Sequence, residues 1–220
     1  MALNVATLFS KTDLDDIAKA VAEAESHTSG EIVPFVVDHC DGYEEAELRG
    51  ALLCAAIAAG GAALALSRML VLTPFGFWQF SAVIMLAGIV GWGVARYVPF
   101  VKRIMAGHRL MERRVAHRAA EAFVSEEVFA TKHRTGILIF VALFERRVIV
   151  IGDSGINAKV ERKDWDEIIA PIVSGISSGT PAKGLMEGIR LSGQLLARHG
   201  VNNGPDDADE LPNSLRIRQS

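Results

Sequence analysis

Between residues 50 and 95 the chain carries a single charged side chain, Arg68, and nothing else in the sequence limits its fold so strongly. The other 174 residues hold 48 of the 49 Asp, Glu, Lys and Arg groups, a density ordinary for a water-soluble protein. An average core helix runs only about 11–12 residues, so 46 nearly uncharged residues exceed what one such helix needs. They divide near Arg68 and Pro74 into two lengths, about 50–72 and 74–98, each near the roughly 20 residues that cross a hydrocarbon core about 30 Å thick. Thr73-Pro74 reads as the cap and first position of the second length, and the short connection predicts a tight antiparallel hairpin over residues 50–100. Phe75, Phe77 and Trp78 open the second length and Tyr97 closes it. At about 1.5 Å per residue, Trp78 and Tyr97 stand roughly 28 Å apart, the spacing of two interfacial aromatic belts. Ala55, Ala59 and Ala63, with Ala87, Gly91 and Ala95, form two small-residue stripes that let such helices approach closely. A helical hairpin buried in a soluble protein is the competing reading.

Charge asymmetry sets the expected orientation. Residues 1–49 sum to −8, residues 96–134 to +5 and residues 135–220 to −1, within an overall −3. That balance excludes a strongly basic nucleic-acid binder. Arg49 precedes the first span, and seven basic residues from Arg96 to Arg118 follow the second, against Arg68 alone between them. The positive-inside rule then puts both termini in the cytoplasm. Each basic group beside anionic headgroups adds on the order of 1 kcal/mol, but the stretch from Arg96 to Arg118 reads first as a topology determinant. The N-terminus lacks a basic start and an apolar run of signal length, so no cleaved signal is expected. Two cysteines, Cys40 near the membrane and Cys54 within a span, do not make a disulfide scaffold or a zinc module.

The flanking pieces are expected to form one domain, with residues 9–49 as its N-terminal part and 101–200 as its C-terminal part. Ser10 can cap a helix with Leu14, Ile17, Val21 and Ala24 on its apolar face, ending near Ser26. Residues 31–38 read as a strand, and Pro34 predicts that it lies at an edge or carries a bulge. One helix and one strand are too small to fold alone. After the spans, a long helix over about 104–128 shows Met111, Val115, Ala119, Ala122 and Phe123 as its stripe. Residues 136–143 are almost wholly apolar and predict a central strand buried on both faces. Phe144-Glu145-Arg146 turns the chain into a third strand over residues 147–151. A helix striped by Trp165, Ile168, Ile169, Ile172 and Ile176 contains Pro171. The last helix begins at Thr180-Pro181, shows Leu185, Ile189, Ser192 and Leu196, and stops at Gly200. Residues 201–220 read as a polar, acidic, disordered tail.

This order is a β–α–β crossover with the apolar hairpin inserted in it. The fold class is α/β: a small mixed sheet flanked by helices, with strands one and two parallel and strand three antiparallel. The starts of strands one and two and the end of strand three then share a rim. On it stand Ser29, Gly30 and Glu31; Arg134, Thr135 and Gly136; and Gly152, Asp153, Ser154 and Gly155. Asp38, His39 and Glu145 mark the opposite, membrane-facing rim, one strand length or about 25 Å away.

Thr28-Ser29-Gly30-Glu31-Ile32, the run from Arg134-Thr135-Gly136 into the hairpin, and Arg147 through Gly152-Asp153-Ser154-Gly155-Ile156 resemble the TPM domain family. The resemblance covers about residues 9–199 and is closest to a short bacterial branch in which a transmembrane hairpin interrupts the domain. There too a Trp-bearing helix, like that of Trp165, precedes a Gly-Ile helix, like that of Gly188-Ile189. The family implies an α/β sandwich, divalent-cation binding, an acid-phosphatase activity in some members, and roles in maintaining or assembling membrane complexes. Its common Gly-Tyr-Gly-Leu-Glu after the third strand is replaced here by Gly-Asp-Ser-Gly-Ile, which removes the Glu and brings an Asp three positions earlier.

Two functions from different classes follow as expectations. In the first, the chain is a bacterial inner-membrane protein whose cytoplasmic domain is an accessory or scaffold factor for a membrane-protein partner. In the second it is a weak metal-dependent phosphatase, with Glu31, Arg134 and Asp153 as catalytic candidates. Glu31 and Asp153 would hold Ca²⁺ or Mg²⁺ through oxygen ligands, and Arg134 would clamp a phosphate. Against this stands a reading in which Asp153 makes a turn, Glu31 is solvated and Arg134 pairs with one of them. Gly152-Asp153-Ser154-Gly155 matches a serine-protease nucleophile loop in letters only. The six histidines have no metal-ligand spacing.

Overall fold

The computed structural model describes residues 8–67, 76–199, 201 and 210–218. It divides into two units, Asp41–Glu112 in one and Leu3–Cys40 with Arg113–Ser220 in the other.

In the second unit, the apolar runs become strands. β1 (Ile32–Val37) and β2 (Ile137–Ala142) pair in parallel, and β2 pairs antiparallel with β3 (Arg147–Gly152). Every residue of β1 and β2 is buried, as expected for strands apolar on both faces. Val33, Phe35, Leu138 and Phe140 face α5 (His108–Ser125) through Val115, Ala119 and Ala122, with the Phe35 and Phe140 rings stacked at 5.6 Å. Ile32, Val36, Ile137 and Ile139 face three other helices: α1 (Lys11–Glu25), α7 (Arg162–Ser177) and α8 (Pro181–Arg198). Ile17 and Val21, Ile168 and Ile172, and Leu185, Ile189 and Leu196 are the buried residues they supply. Ser10 caps α1 as expected, in a reciprocal box with Asp13. Ser10 holds the Asp13 carboxyl below its ordinary pKa by hydrogen bonds from its side chain and its backbone N–H. The short α6 (Ser154–Asn157) links β3 to α7.

Three expectations are corrected. The tail is not uniformly disordered: Arg216–Arg218 forms β4, parallel to β1, giving the order β3-β2-β1-β4. Residues 202–209, on which the rest of that expectation falls, lie outside the described residues, as does Gly200 as a helix stop. Consequently β1 is not an edge strand despite Pro34. The Ile137 N–H donates to the Glu31 carbonyl and the Leu143 N–H to the Val37 carbonyl. By strand alternation, the N–H groups of residues 33, 35 and 37 therefore face β2, and position 34 faces the other side. There β4 begins only opposite Phe35, so the missing proline donor costs no ladder bond. The long helix expected over 104–128 is broken. α4 (Pro99–Ala106) ends at Gly107, whose φ of 77° is a left-handed conformation favoured by glycine, and α5 begins at His108.

The first unit contains the inserted helices α2 (Glu44–Ser67) and α3 (Gly76–Tyr97). Each contains a stretch long and apolar enough to cross a membrane, Glu44–Ala65 and Trp78–Tyr97. In each, only 11 % of the 18-residue apolar window is buried. Thr73-Pro74 and Phe75 lie outside the described residues. Gly91 and Ala95 of the expected stripes do pack, against Gly50 and Cys54. A Cβ on Gly91 would run into the Gly50 carbonyl and stand 2.7 Å from Cys54 Sγ. Gly60 has open space around it. At one end of the pair, nearly buried Glu47 accepts from Arg96 at 3.2 Å and Lys102 at 3.0 Å. Arg49 donates to the Met105 and Ala106 carbonyls that close α4.

Candidate functional site

Strand register builds the rim. Ile32 stands beside Ile137, and Ile137 beside Gly152, so the segments before β1, before β2 and after β3 adjoin. Backbone bonds continue the ladders past the strand ends, from Ile137 N–H to the Glu31 carbonyl (2.7 Å) and from Asp153 N–H to the Gly136 carbonyl (2.8 Å). All ten candidate residues therefore come from three contiguous loops.

Those loops are tied mainly to one another. Asp153 is only 4 % exposed. Its Oδ1 receives the Ser154 N–H at 2.6 Å and Arg134 Nη2 at 3.0 Å, and Arg134 Nε lies 2.7 Å from Oδ2 in an ion pair. Arg134 adopts φ 56°, and the Gly155 N–H donates to its carbonyl at 2.9 Å. Its guanidinium also lies 5.8 Å from the Phe129 ring centre. Gly155 has no room for a side chain, because a Cβ would meet the His133 and Arg134 carbonyls. Gly136 is held equally close to the Val128 backbone. Thr135 donates its hydroxyl to the Ser29 carbonyl at 3.3 Å, and its N–H to Thr131 Oγ1 at 3.0 Å. The Gly30 N–H donates to Thr28 Oγ1 at 3.2 Å.

Glu31 belongs to a different constellation. Buried at 6 % exposure, it accepts the Glu210 N–H at 3.0 Å. The Glu210 carboxylate in turn accepts the Lys132 N–H at 3.1 Å. Arg216 of β4 lies in the field of Glu126, Glu25 and Glu31, and burial pushes its pKa below the ordinary arginine value while those carboxylates oppose the shift. Glu25, Glu126, Glu210 and Arg216 were not legible as site residues, because the sheet edge that gathers them comes from the tail. The alternation Leu215-Arg216-Ile217-Arg218 was the available signal.

A divalent cation fits this rim poorly. Both oxygens of Asp153 are engaged by a cation that the protein supplies itself. Among the described residues no group of three or more His, Cys, Asp or Glu is placed to hold a metal ion. On the opposite rim, Glu145 is 3 % exposed and accepts the Cys40 N–H at 2.8 Å. A cavity of about 720 Å³ lies away from the rim, between α1 and α8, beside His27, Lys183, Glu187 and Arg190. Glu187 and Arg190 pair there at 2.5 Å and 2.8 Å.

No protein-family model and no curated protein matches the chain. Among solved structures, it is similar to the NMR structure of the BA42 protein from the psychrophilic bacterium Bizionia argentinensis sp. nov.. The two share 20 % identity over 98 % of this chain and 99 % of that one, with a TM-score of 0.59. That likeness shows the fold: a mixed sheet between helices.

Proposed function

We propose that this chain is an integral protein of the bacterial inner membrane whose TPM-like domain, in the cytoplasm, is an accessory or scaffold factor for a membrane-protein partner. One observation carries the membrane part: α2 and α3 leave most of their apolar surface uncovered. Ile57 is 66 % exposed, Met85 71 % and Trp78 73 %. Contiguous apolar surface of this extent needs a cover, and both helices have the length for a bilayer to supply it. The excess of basic residues after α3 supports cytoplasmic termini.

The accessory role is supported by the rim. Arg134 and Asp153 engage each other, and Glu31 holds the tail, an arrangement suited to fixing loops in place. Phosphatase chemistry would require Arg134 to leave Asp153 for a phosphoester. The membrane reading is tested by expressing the chain in bacteria and washing membranes with alkaline carbonate. It should stay in the pellet and dissolve only with detergent; release by carbonate would contradict the reading. The detergent-solubilised protein should not hydrolyse a generic phosphoester with Mg²⁺, Ca²⁺ or Mn²⁺. Hydrolysis abolished by Asp153→Ala would instead establish the enzymatic alternative.

A further inference from the structure

β4 is only three residues long, yet it is held on both of its faces. Arg216 and Arg218 share a face with Phe35, following the register of Phe35 with Arg216 and Val37 with Arg218. On that face Glu126 receives Arg216 Nε at 3.5 Å and Arg218 Nη2 at 3.3 Å, and the Arg218 guanidinium lies 5.7 Å from the Phe35 ring centre. On the other face Leu215 and Ile217 pack against the core that contains Val36. The receiving side is thus a sheet edge with Glu126 as its acidic wall, in a negative field to which Glu25 and Glu31 add, and an apolar floor. The occupant is extended and alternates arginine with aliphatic residues. Parallel backbone pairing supplies affinity with little demand on sequence, and alternate side chains supply selectivity, the logic of strand addition at an exposed edge. Without β4, β1 would present unpaired N–H and C=O groups, which sheet proteins normally protect.

We propose that the β1 edge is a strand-docking groove for an extended arginine–aliphatic–arginine segment of a partner protein, and that the chain's own C-terminal residues occupy it as a displaceable internal ligand. The occupant is selected by charge and pattern. Glu126 pairs with both arginines of the partly buried strand, so an arginine-bearing strand suits the wall better than a lysine-bearing one, because a guanidinium sheds water more readily than an ammonium. An acidic or uniformly apolar strand does not. The inference does not depend on the membrane assignment.

The experiment uses the full chain in detergent and a fluorescein-labelled peptide with the sequence of residues 211–218. Wild-type protein, its groove filled in cis, should bind the peptide weakly. The Arg216→Ala/Arg218→Ala variant, whose tail no longer competes, should bind it at least tenfold more tightly. Adding Glu126→Gln should remove most of that gain, and a peptide with both arginines replaced by alanine should not bind. Equal binding by wild type and the double variant, or indifference to Glu126→Gln, overturns the proposal. If the double variant does not fold, hydrogen exchange on the wild-type chain decides. Excess peptide should accelerate exchange of the Arg216 and Arg218 amides, which the parallel register aims at β1, and an unchanged rate overturns the proposal. A wild-type dimer that the peptide converts to monomer would place the tail of a second copy in the groove and overturn occupancy in cis.

Discussion

Leu138 and Ile139 in β2 expose none of their surface, whereas Ile57 in α2 and Met85 in α3 expose 66 % and 71 %. Both regions are nearly free of charge, and both are apolar on every side. The strands are covered on both faces by helices whose outer surfaces are polar, so water meets charged groups. Among the described residues the inserted helices approach each other closely at Gly50, Cys54, Gly91 and Ala95, and Gly88 lies beside Ala51 and Ala55. Uniform apolarity in a strand therefore signals a protein layer above and below. In a helix pair of this length it fits the apolar surrounding proposed for α2 and α3.

Substitutions of one type at the two places should separate them. Ile139→Ala leaves a cavity in a closed core and should cost about 2–5 kcal/mol in denaturant unfolding. Ile57→Ala, in detergent, should cost no more than about 0.5 kcal/mol, as at other uncovered sites. Comparable losses would erase the distinction. The seam offers the next largest effect. Gly91→Leu overpacks the close approach to Gly50 and Cys54 and should lower stability by about 1–3 kcal/mol, while Gly60→Leu, which meets open space, should be tolerated. Thermal unfolding of both variants, followed by tryptophan fluorescence, would sharpen or dissolve the claim of a specific seam.

In the sheet unit, Asp153→Ala removes a buried carboxylate but leaves Arg134, whose side chain is 53 % exposed and free to rehydrate. The expected loss is about 1–2 kcal/mol, below that of a fully buried pair. A loss above that of Ile139→Ala would make the rim the main support of the unit. Among the losses expected in the sheet unit the smallest is at Ser10→Ala, about 1 kcal/mol for a lost helix cap. The folded Asp13 carboxyl lies below its ordinary pKa because Ser10 donates to it. Its contribution is complete above the unfolded value near 4 and fades as pH falls toward the folded value. Wild type and Ser10→Ala should therefore converge on acidification, which unfolding curves at neutral and acid pH would show.

The strand pairing and the helix faces were legible because each rests on periodicity. The alternation of residues 31–38 and 136–143 with helices dictates a parallel pair, and Ile17, Val21, Ile168, Ile172 and Ile189 recur at helical spacing. What was hidden depends on single residues or on distant chain segments. Gly107 ends a helix whose apolar pattern continues past it, because periodicity does not register one left-handed residue. β4 escaped because three residues carry little pattern beside an acidic stretch, and Pro34 pointed to an edge that the tail later covers. At the rim, Arg134 and Asp153 were brought together by topology alone. Glu31 could not be assigned to Arg216 until β4 was known. Of the expected stripe, Ala55 does lie beside Gly88, but the tightest approach, at Gly50 and Cys54, falls on neighbouring positions that the spacing of Ala55, Ala59 and Ala63 does not mark.

The central claim is that α2 and α3 cross a membrane and return the chain to the side it left. Single-cysteine variants at Ser10, Ser67 and Ser177, in a background with Cys40 and Cys54 replaced by serine, test it directly in sealed right-side-out and inverted bacterial vesicles. A membrane-impermeant maleimide should label positions 10 and 177 only in inverted vesicles and position 67 only in right-side-out ones. Labelling of positions 10 and 177 from opposite faces, or of all three from one face, would contradict the account.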